Sequence, residues 1–191
     1  MIVIIENSGK VKQSSRALVW SGYAVFIWSI AYMIPHLYWG LGGRIGLNLF
    51  APSVLVLPQI KLINLVASVF LTAAGFLGLA FIFLKRKKFL SAFLLTIALI
   101  GCSISTSHGI YGIVYRILQI SGVVKLNLVS LNDVRWDLFL FEPWFLIEGI
   151  LLGFVGGFYL EKPRHRRIWF ILCVVGIMVG LITGLFGVRF A

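Results

Sequence analysis

Five runs of apolar residues, each long enough to cross a bilayer as one helix, constrain this chain more than any other feature. About 30 Å of hydrocarbon takes roughly 20 helical residues. The runs are residues 17–40, 62–84, 89–112, 139–160 and 168–188. Because only helices and closed barrels satisfy their backbone groups in lipid, these runs predict an all-α bundle of five transmembrane helices. Residues 1–16 then form a basic tail, residues 17–191 a single transmembrane domain, and residues 41–61 and 113–138 two outer loops.

The composition excludes a soluble globular domain. Of the 191 residues, 60% are hydrophobic and 12% are charged, whereas soluble domains carry about 25% charged residues. The formal net charge is +11, but the basic residues stand in short segments beside the apolar runs, which favours a role in membrane topology over nucleic-acid binding. The expected partners are therefore membrane lipids, including anionic headgroups at the cytoplasmic face, and no nucleic acid.

The distribution of Lys and Arg predicts which way the bundle faces. The N-terminal tail and the two short inner turns carry eleven of these residues, and the opposite side carries six. By the positive-inside rule, the N-terminus is cytoplasmic and the C-terminus lies outside. We therefore expect a multi-pass protein of the cell membrane, most simply a bacterial plasma membrane.

Small residues four apart indicate how the helices pack. The fourth span contains Gly149, Gly153 and Gly157, and the fifth contains Gly176, Gly180 and Gly184. Such spacing lets helix backbones approach closely in lipid, so we expect these two spans to pack on each other. Homo-oligomerisation, or contact with another membrane protein through the same faces, is the alternative. Cys102 and Cys173 both lie in apolar runs and are interpreted as packing residues, with neither a disulfide nor a thiol-redox motif indicated.

Three ionisable side chains interrupt the apolar runs: His36, His108 and Glu148. The predicted ends of their helices put all three roughly 6–14 Å below the outer boundary of the membrane. An ionisable group at such a depth is costly, so each is a candidate for a functional site. Glu142, followed by Pro143, is interpreted as an ordinary helix start, with its carboxylate at the positive end of the helix dipole.

Helical spacing extends each of these residues into a polar stripe. Ser29, Tyr32, His36 and Trp39 share one face of the first span, and Gly101, Ser105, His108 and Tyr115 share one face of the third. Trp144 lies one turn from Glu148. These stripes predict an outward-facing polar pocket, whose candidate ligand-binding residues are His36, His108, Glu148, Tyr32, Trp39, Ser105, Tyr115 and Trp144.

Four interpretations of this constellation remain open. The pocket could bind a small or lipid-like molecule, with Glu148 or a histidine as proton acceptor or donor in its modification or sensing. The same side chains could instead form a structural network in an accessory subunit of a larger membrane complex. His36 and His108 could ligate a haem, or together with Glu148 a divalent metal ion. The sequence specifies neither a cofactor nor a catalytic activity.

Two segments resemble a family of small bacterial integral-membrane proteins that has no assigned function. One is His36–Gly43, which is similar to a histidine–tryptophan–glycine signature at the end of that family's first span. The other is Arg135–Pro143, which is similar to the aspartate–aromatic–proline entry to a later span. The family usually has an aromatic–Ser–Pro step where this chain has Phe141, Glu142 and Pro143. The resemblance covers about residues 17–159 and implies a multi-span membrane protein, with no catalytic residues to carry over.

Overall fold

A computed structural model describes residues 3–5, 11–13, 15–47, 59–125 and 130–186 of the chain, which form a helical bundle preceded by a short hairpin. The helices are α1 (Arg16–Gly40), α2 (Ile60–Phe83), α3 (Lys88–Ile120), α4 (Leu131–Trp136), α5 (Glu142–Tyr159) and α6 (Pro163–Leu185). The hairpin lies in the predicted basic tail and pairs β1 (Val3–Ile5) with β2 (Val11–Gln13) in antiparallel fashion, with Val3 opposite Gln13.

Five helical segments are long and apolar enough to cross a membrane, which confirms the predicted all-α bundle of five spans. They are α1, α2, α3, the segment Leu131–Tyr159 that includes α4 and α5, and α6. The short turns at 84–87 and 160–162 lie at the same end of the bundle, because Arg86 forms an ion pair with Glu161 across them. We call this end the turn end, and the opposite end, to which residues 41–59 and 121–130 connect, the loop end. Residues 48–58 and 126–129 of the two predicted outer loops lie outside the described residues.

The first span ends in a glycine-rich turn at the loop end. Ser15 caps the start of α1 by accepting a hydrogen bond from the Leu18 N–H at 3.2 Å. After Gly40, Gly42 adopts a φ of 100°, which only glycine reaches without strain. Gly43 lies directly against the Tyr38 ring, where a Cβ atom would overlap it. The glycines of the segment resembling a family signature therefore serve the turn that ends α1.

The third helix continues to Ile120, beyond the Gly112 end that the sequence predicted. Gly109 and Gly112 are contact points and not terminators. A Cβ atom at Gly109 would lie 2.7 Å from the backbone N of Leu146, and one at Gly112 would overlap the carboxylate of Glu142. Since glycine allows this close crossing, α3 remains helical where the fourth span passes over it.

The fourth span begins at Leu131, earlier than the predicted Phe139, and contains a π-helical turn. A capping box starts it, in which the hydroxyl of Ser130 accepts from the Asp133 N–H and the Asp133 carboxylate accepts from the Ser130 N–H, each at 3.1 Å. Residues Asp137–Phe141 then form the π-helical turn, in which the Glu142 N–H donates to the Asp137 carbonyl. Glu142 therefore starts α5 without a free helix N-terminus, contrary to its interpretation as an ordinary helix start.

Most glycines of the fifth span contact α3 rather than the fourth span. A Cβ atom at Gly176 would meet Ser103, and one at Gly180 would meet Ser107. On the fourth span, Gly149 likewise lies against Thr106 of α3. The two glycine-bearing helices meet each other only near the turn end, where the Trp169 indole N–H donates to the Gly153 carbonyl at 2.8 Å. The predicted direct packing of the two glycine rows is thus largely replaced by packing of both on α3.

The interior differs between the two ends of the bundle. Towards the turn end, an apolar cluster joins all five spans; its fully buried members include Leu18, Val25, Phe81, Ala98 and Val155. Gly22 of α1 and Gly78 of α2 bring two backbones together beside it. Among the described residues, all buried polar side chains except Ser21 lie towards the loop end; they are Ser29, Asn64, Ser68, Thr106, Ser107, Gln119, Asp133, Glu142 and Glu148.

Candidate functional site

Aromatic side chains form a continuous layer between α1 and α5 in the loop-end half. The Trp144 ring stacks on Trp28 at 4.2 Å and on Tyr32 at 4.9 Å between centroids. Tyr32 in turn meets the His36 ring edge to face at 4.7 Å, and His36 meets Trp39 at 5.6 Å. The Trp28 indole N–H also donates to the Trp144 carbonyl at 3.1 Å. The deeper part of the stripe predicted on the first span, Ser29 and Tyr32, therefore faces α5, whereas His36 faces Asn64 of α2.

Glu148 lies at the deep end of this layer, and its side chain is bonded to α1. Only 3% of Glu148 is exposed. Its Oε1 atom lies 2.6 Å from the hydroxyl oxygen of Ser29, which also lies 2.7 Å from the Val25 carbonyl. The other carboxyl oxygen, Oε2, is buried and has no hydrogen-bond partner among the described residues.

His36 is held in one tautomer by the second span. Asn64 Nδ2 donates to the Ile60 carbonyl at 2.8 Å, which leaves Asn64 Oδ1 facing His36 Nδ1 at 2.7 Å. Because a carbonyl oxygen only accepts, His36 carries a proton on Nδ1. In the neutral ring Nε2 is then an acceptor with a lone pair. This atom is buried, and no described residue bonds to it.

Three buried polar atoms without a partner among the described residues lie on α1 and α5: Trp144 Nε1 and Glu148 Oε2 where the two helices meet, and His36 Nε2 further along α1, beside Asn64 of α2. An unsatisfied buried polar group costs about 1–3 kcal/mol. Such atoms are rare in folded proteins and call for a water, an ion or a ligand. Their alignment with stacked aromatic rings marks this interface as the candidate binding site.

A second polar network lies on the other side of the fourth span, against α3. Arg116 pairs with Asp137 at 2.5 Å and donates to Gln119 at 2.8 Å. One turn deeper, His108 Nε2 lies 3.5 Å from Glu142 Oε2. The π-helical turn accounts for this alignment: its wider repeat brings Asp137 and Glu142, five residues apart, onto the same side of the helix.

The predicted site residues therefore divide between two interfaces. Tyr32, Trp144 and Glu148 belong to the α1–α5 interface, His36 and Trp39 continue the aromatic row along α1 towards α2, and His108 belongs to the α3 network. The Phe145 ring stands between them, 5.7 Å from Tyr32 and 4.6 Å from His108.

Two further candidates fall outside the aromatic layer. Ser105 is half-buried on α3, three residues before His108. Tyr115 stacks on Tyr111, which faces Gly184 of α6, so Tyr115 lies away from the α1–α5 interface.

Sequence reasoning gave little weight to Ser29, Asn64, Glu142, Trp28 and Phe145. Ser29 was visible as part of the stripe on the first span, and its link to Glu148 depends on which helix that stripe faces. Glu142 is a fourth ionisable residue near an apolar run. Because Pro143 follows it, however, the simpler interpretation from the sequence is that a helix starts there. Its contact with Gly112 arises from the crossing of two helices distant in sequence.

The candidate metal ligands have separate partners in the bundle, and the two cysteines lie in its apolar cluster. Among residues 15–47, 59–125 and 130–186, no group of three or more His, Cys, Asp or Glu side chains could hold a metal ion. The proposed metal set of His36, His108 and Glu148 is divided by separate partners: Asn64, Glu142 and Ser29. Cys102 and Cys173 are buried in the same apolar cluster with free thiols, in agreement with their interpretation as packing residues.

The fold and this interface define a class, a polytopic α-helical membrane protein with an aromatic, partly unpaired polar site between its first and fourth spans. Residues 29–152 match DUF3995, a family of proteins of unknown function, and the chain belongs to this family. The matched region begins at Ser29 and ends at Leu152, so it contains both polar networks and excludes α6. It also includes the two segments with a family resemblance, although neither is confirmed as a signature. No curated protein and no solved structure matches the chain.

Proposed function

We propose that the loop-end half of the α1–α5 interface binds a small or lipid-like molecule that carries a polar group. The observation that carries this proposal is the row of three buried, unpartnered polar atoms on His36, Trp144 and Glu148. A molecule with an apolar body suits the stacked rings, and its polar group would satisfy the unpaired atoms. His36 Nε2, with its lone pair fixed by Asn64, is the atom best suited to accept a proton if the molecule is sensed or modified.

The membrane setting of this site belongs to the same proposal. The excess of Lys and Arg near the turn end favours a cytoplasmic turn end, with anionic headgroups as neighbours of Lys85–Lys88. The loop end, and with it the site, would then face outward from a plasma membrane of bacterial type. A ligand would reach the pocket from the outer leaflet or from the medium beyond it.

A structural role in a larger membrane complex is the second candidate, and one feature of α6 favours it. Only 11% of the most apolar stretch of α6 is buried within the chain. A long face of this helix is therefore left for lipid or for another protein. This role makes no use of the unpaired atoms between α1 and α5, so the two candidates predict different effects of substitution there.

Occupancy of the site tests the binding proposal. The protein would be purified in a mild detergent and ejected intact in a mass spectrometer, so that retained small molecules or lipids appear as added mass. We expect a bound molecule on the native chain and its loss in His36→Ala and Trp144→Phe, because each change removes one of the unpaired polar groups. An absorption spectrum and metal analysis of the same sample test the haem and metal alternatives directly.

Matched controls are available within the chain. His165→Ala and Trp20→Phe remove the same groups at exposed positions, where Trp20 is 75% exposed, and should leave the added mass unchanged. If the site variants and the control variants retain the same molecules, the α1–α5 interface is not a binding site. A partner protein that co-purifies with all four variants would favour the structural role instead.

A further inference from the structure

The hydroxyl of Ser29 constrains the proton on Glu148 when the site is empty. A serine hydroxyl has one proton to donate. It lies within hydrogen-bond distance of two acceptors, the Val25 carbonyl at 2.7 Å and Glu148 Oε1 at 2.6 Å. Two full hydrogen bonds, rather than one proton shared between two acceptors, form here if Ser29 donates to Val25 and the Glu148 carboxyl, carrying its own proton, donates to Ser29. The geometry is therefore that of a neutral carboxylic acid.

The surroundings of Glu148 contain no fixed cation to replace that proton. The basic side chains of α1, α2 and α3 other than histidine are Arg16 and Lys88 at the turn end and Lys61 and Arg116 at the loop end, so none stands in the middle of these helices, and the titratable side chains within about two helical turns of Ser29 on α1 and of Glu148 on α5 are Tyr23, Tyr32, His36 and Glu142. Arg116, the one half-buried arginine near the loop end in this part of the chain, is already paired with Asp137. A carboxylate at this position would thus be buried without a counter-charge, which is strongly unfavourable.

The groups that surround the unpaired oxygen indicate which counter-charge fits. Glu148 Oε2 is an acceptor without a partner among the described residues, so the ligand group beside it has to supply a hydrogen-bond donor. Trp144 lies one helical turn from Glu148 on α5, and its ring stacks on Tyr32 and Trp28, so aromatic side chains adjoin the carboxyl. A carboxylate beside aromatic rings is suited to an ammonium group attached to an apolar body.

We infer that the ligand carries an ammonium group, and that this group exchanges with the proton on Glu148 when it binds. The inference rests on the proposed function and names the chemical class of its ligand. The exchange is balanced: the ammonium ion enters, Glu148 loses one proton to solvent, and the carboxylate and ammonium form an ion pair. Ser29 then donates to the carboxylate instead of to Val25. The ammonium group could belong to a free amine or to the headgroup of an aminophospholipid.

Calorimetric titration of the purified protein in an uncharged detergent tests the exchange. The probes are 2-phenylethylamine and 2-phenylethanol, which share a ring and a chain and differ in the cationic group. We expect the amine to bind the native protein about tenfold or more tightly than the alcohol. While the empty site holds a protonated Glu148, release of one proton makes the Kd of the amine fall about tenfold for each rise of one pH unit, and the fall levels off where the empty site itself ionises.

The Glu148→Gln variant is expected to lose both the preference for the amine and the dependence on pH, because its amide has no proton to exchange. Glu161→Gln, a change at an exposed glutamate of the turn end, is expected to retain both. Addition of phosphatidylethanolamine or phosphatidylglycerol separates the two sources of the ammonium group. Competition by the former alone assigns a lipid headgroup, and competition by neither assigns a free amine.

Two outcomes would overturn this inference. Equal affinity for amine and alcohol, or an affinity for the amine that is independent of pH, would exclude ammonium exchange. The proposed function would survive that failure if a molecule still co-purified with the native chain and was lost in His36→Ala. It would fail separately if occupancy were the same in the site and control variants.

Discussion

At the scale of single residues, the sequence located the ionisable groups but not their partners. Glu148 was recognisable because a carboxylate in an apolar run is unusual, and the three- and four-residue spacing of Ser29, Tyr32 and His36 predicted their shared face. Which helix that face meets is a property of the packed bundle. The hydrogen bond between Ser29 and Glu148 joins residues 119 positions apart, so no local pattern encodes it.

Glu148 should tolerate glutamine better than alanine. The amide of Glu148→Gln can donate to the Ser29 hydroxyl as a protonated carboxyl does, so the stability should change little. Glu148→Ala removes this donor and leaves a cavity, at a cost of about 2–4 kcal/mol. Thermal unfolding of the purified protein in detergent measures both. Glu161→Ala provides an exposed comparison with an expected change of about 1 kcal/mol or less. Equal losses for the two Glu148 variants would mean that an ionised carboxylate is required.

At the scale of helices, hydropathy predicted the five spans well and their ends less well. Apolar length is a local property, and it is sufficient for the number of spans. The apolar run predicts an end of α3 at Gly112, whereas in the structure the helix continues and Gly112 makes room for the Glu142 carboxylate. No local sequence pattern predicts the π-helical turn at Asp137–Phe141 either. Its contacts with α3, such as the pair of Asp137 with Arg116, form only when the two helices cross.

Gly112→Ala should destabilise the crossing of α3 and the fourth span. The new Cβ atom would overlap the Glu142 carboxylate, and overpacking of this kind costs about 1–3 kcal/mol. Glu142→Ala in the same chain should relieve much of that loss, so the two changes should be non-additive in a double-mutant cycle measured by thermal unfolding.

Gly184→Ala is the matched control for this experiment. A Cβ atom at Gly184 would meet Tyr111 at 3.4 Å, an ordinary contact, and alanine is the better helix former, so stability should be unchanged or higher. Additive effects of Gly112→Ala and Glu142→Ala would contradict the close approach of these two residues.

At the scale of the whole molecule, the number of spans and the charge distribution lead to one orientation. An odd number of spans places the two termini on opposite sides of the membrane. The bias of basic residues towards the tail and the short turns favours a cytoplasmic N-terminus, as proposed above. The charge rule acts during membrane insertion, so this part of the prediction depends on little besides the sequence.

Reporter fusions test the orientation. We expect alkaline phosphatase, which is active only outside the cytoplasm, to be active when fused to the C-terminus, and green fluorescent protein to be dark there. Replacement of Lys85–Lys88 by glutamine removes four positive charges from the cytoplasmic side and should lower the phosphatase activity as inverted chains accumulate. A fluorescent C-terminal fusion of the native chain would reverse the assignment of the two ends.

The apolar cluster at the turn end has a consequence for traffic through the bundle. Beneath Glu148, the described helices close on one another through side chains such as Val25, Ala98 and Val155, which have no exposed surface. A solute held at Glu148 would have these apolar side chains between it and the turn end, and it would leave again towards the loop end. Apolar packing thus separates the proposed site from the turn end, which suits the detection or alteration of a molecule from the loop-end side of the membrane.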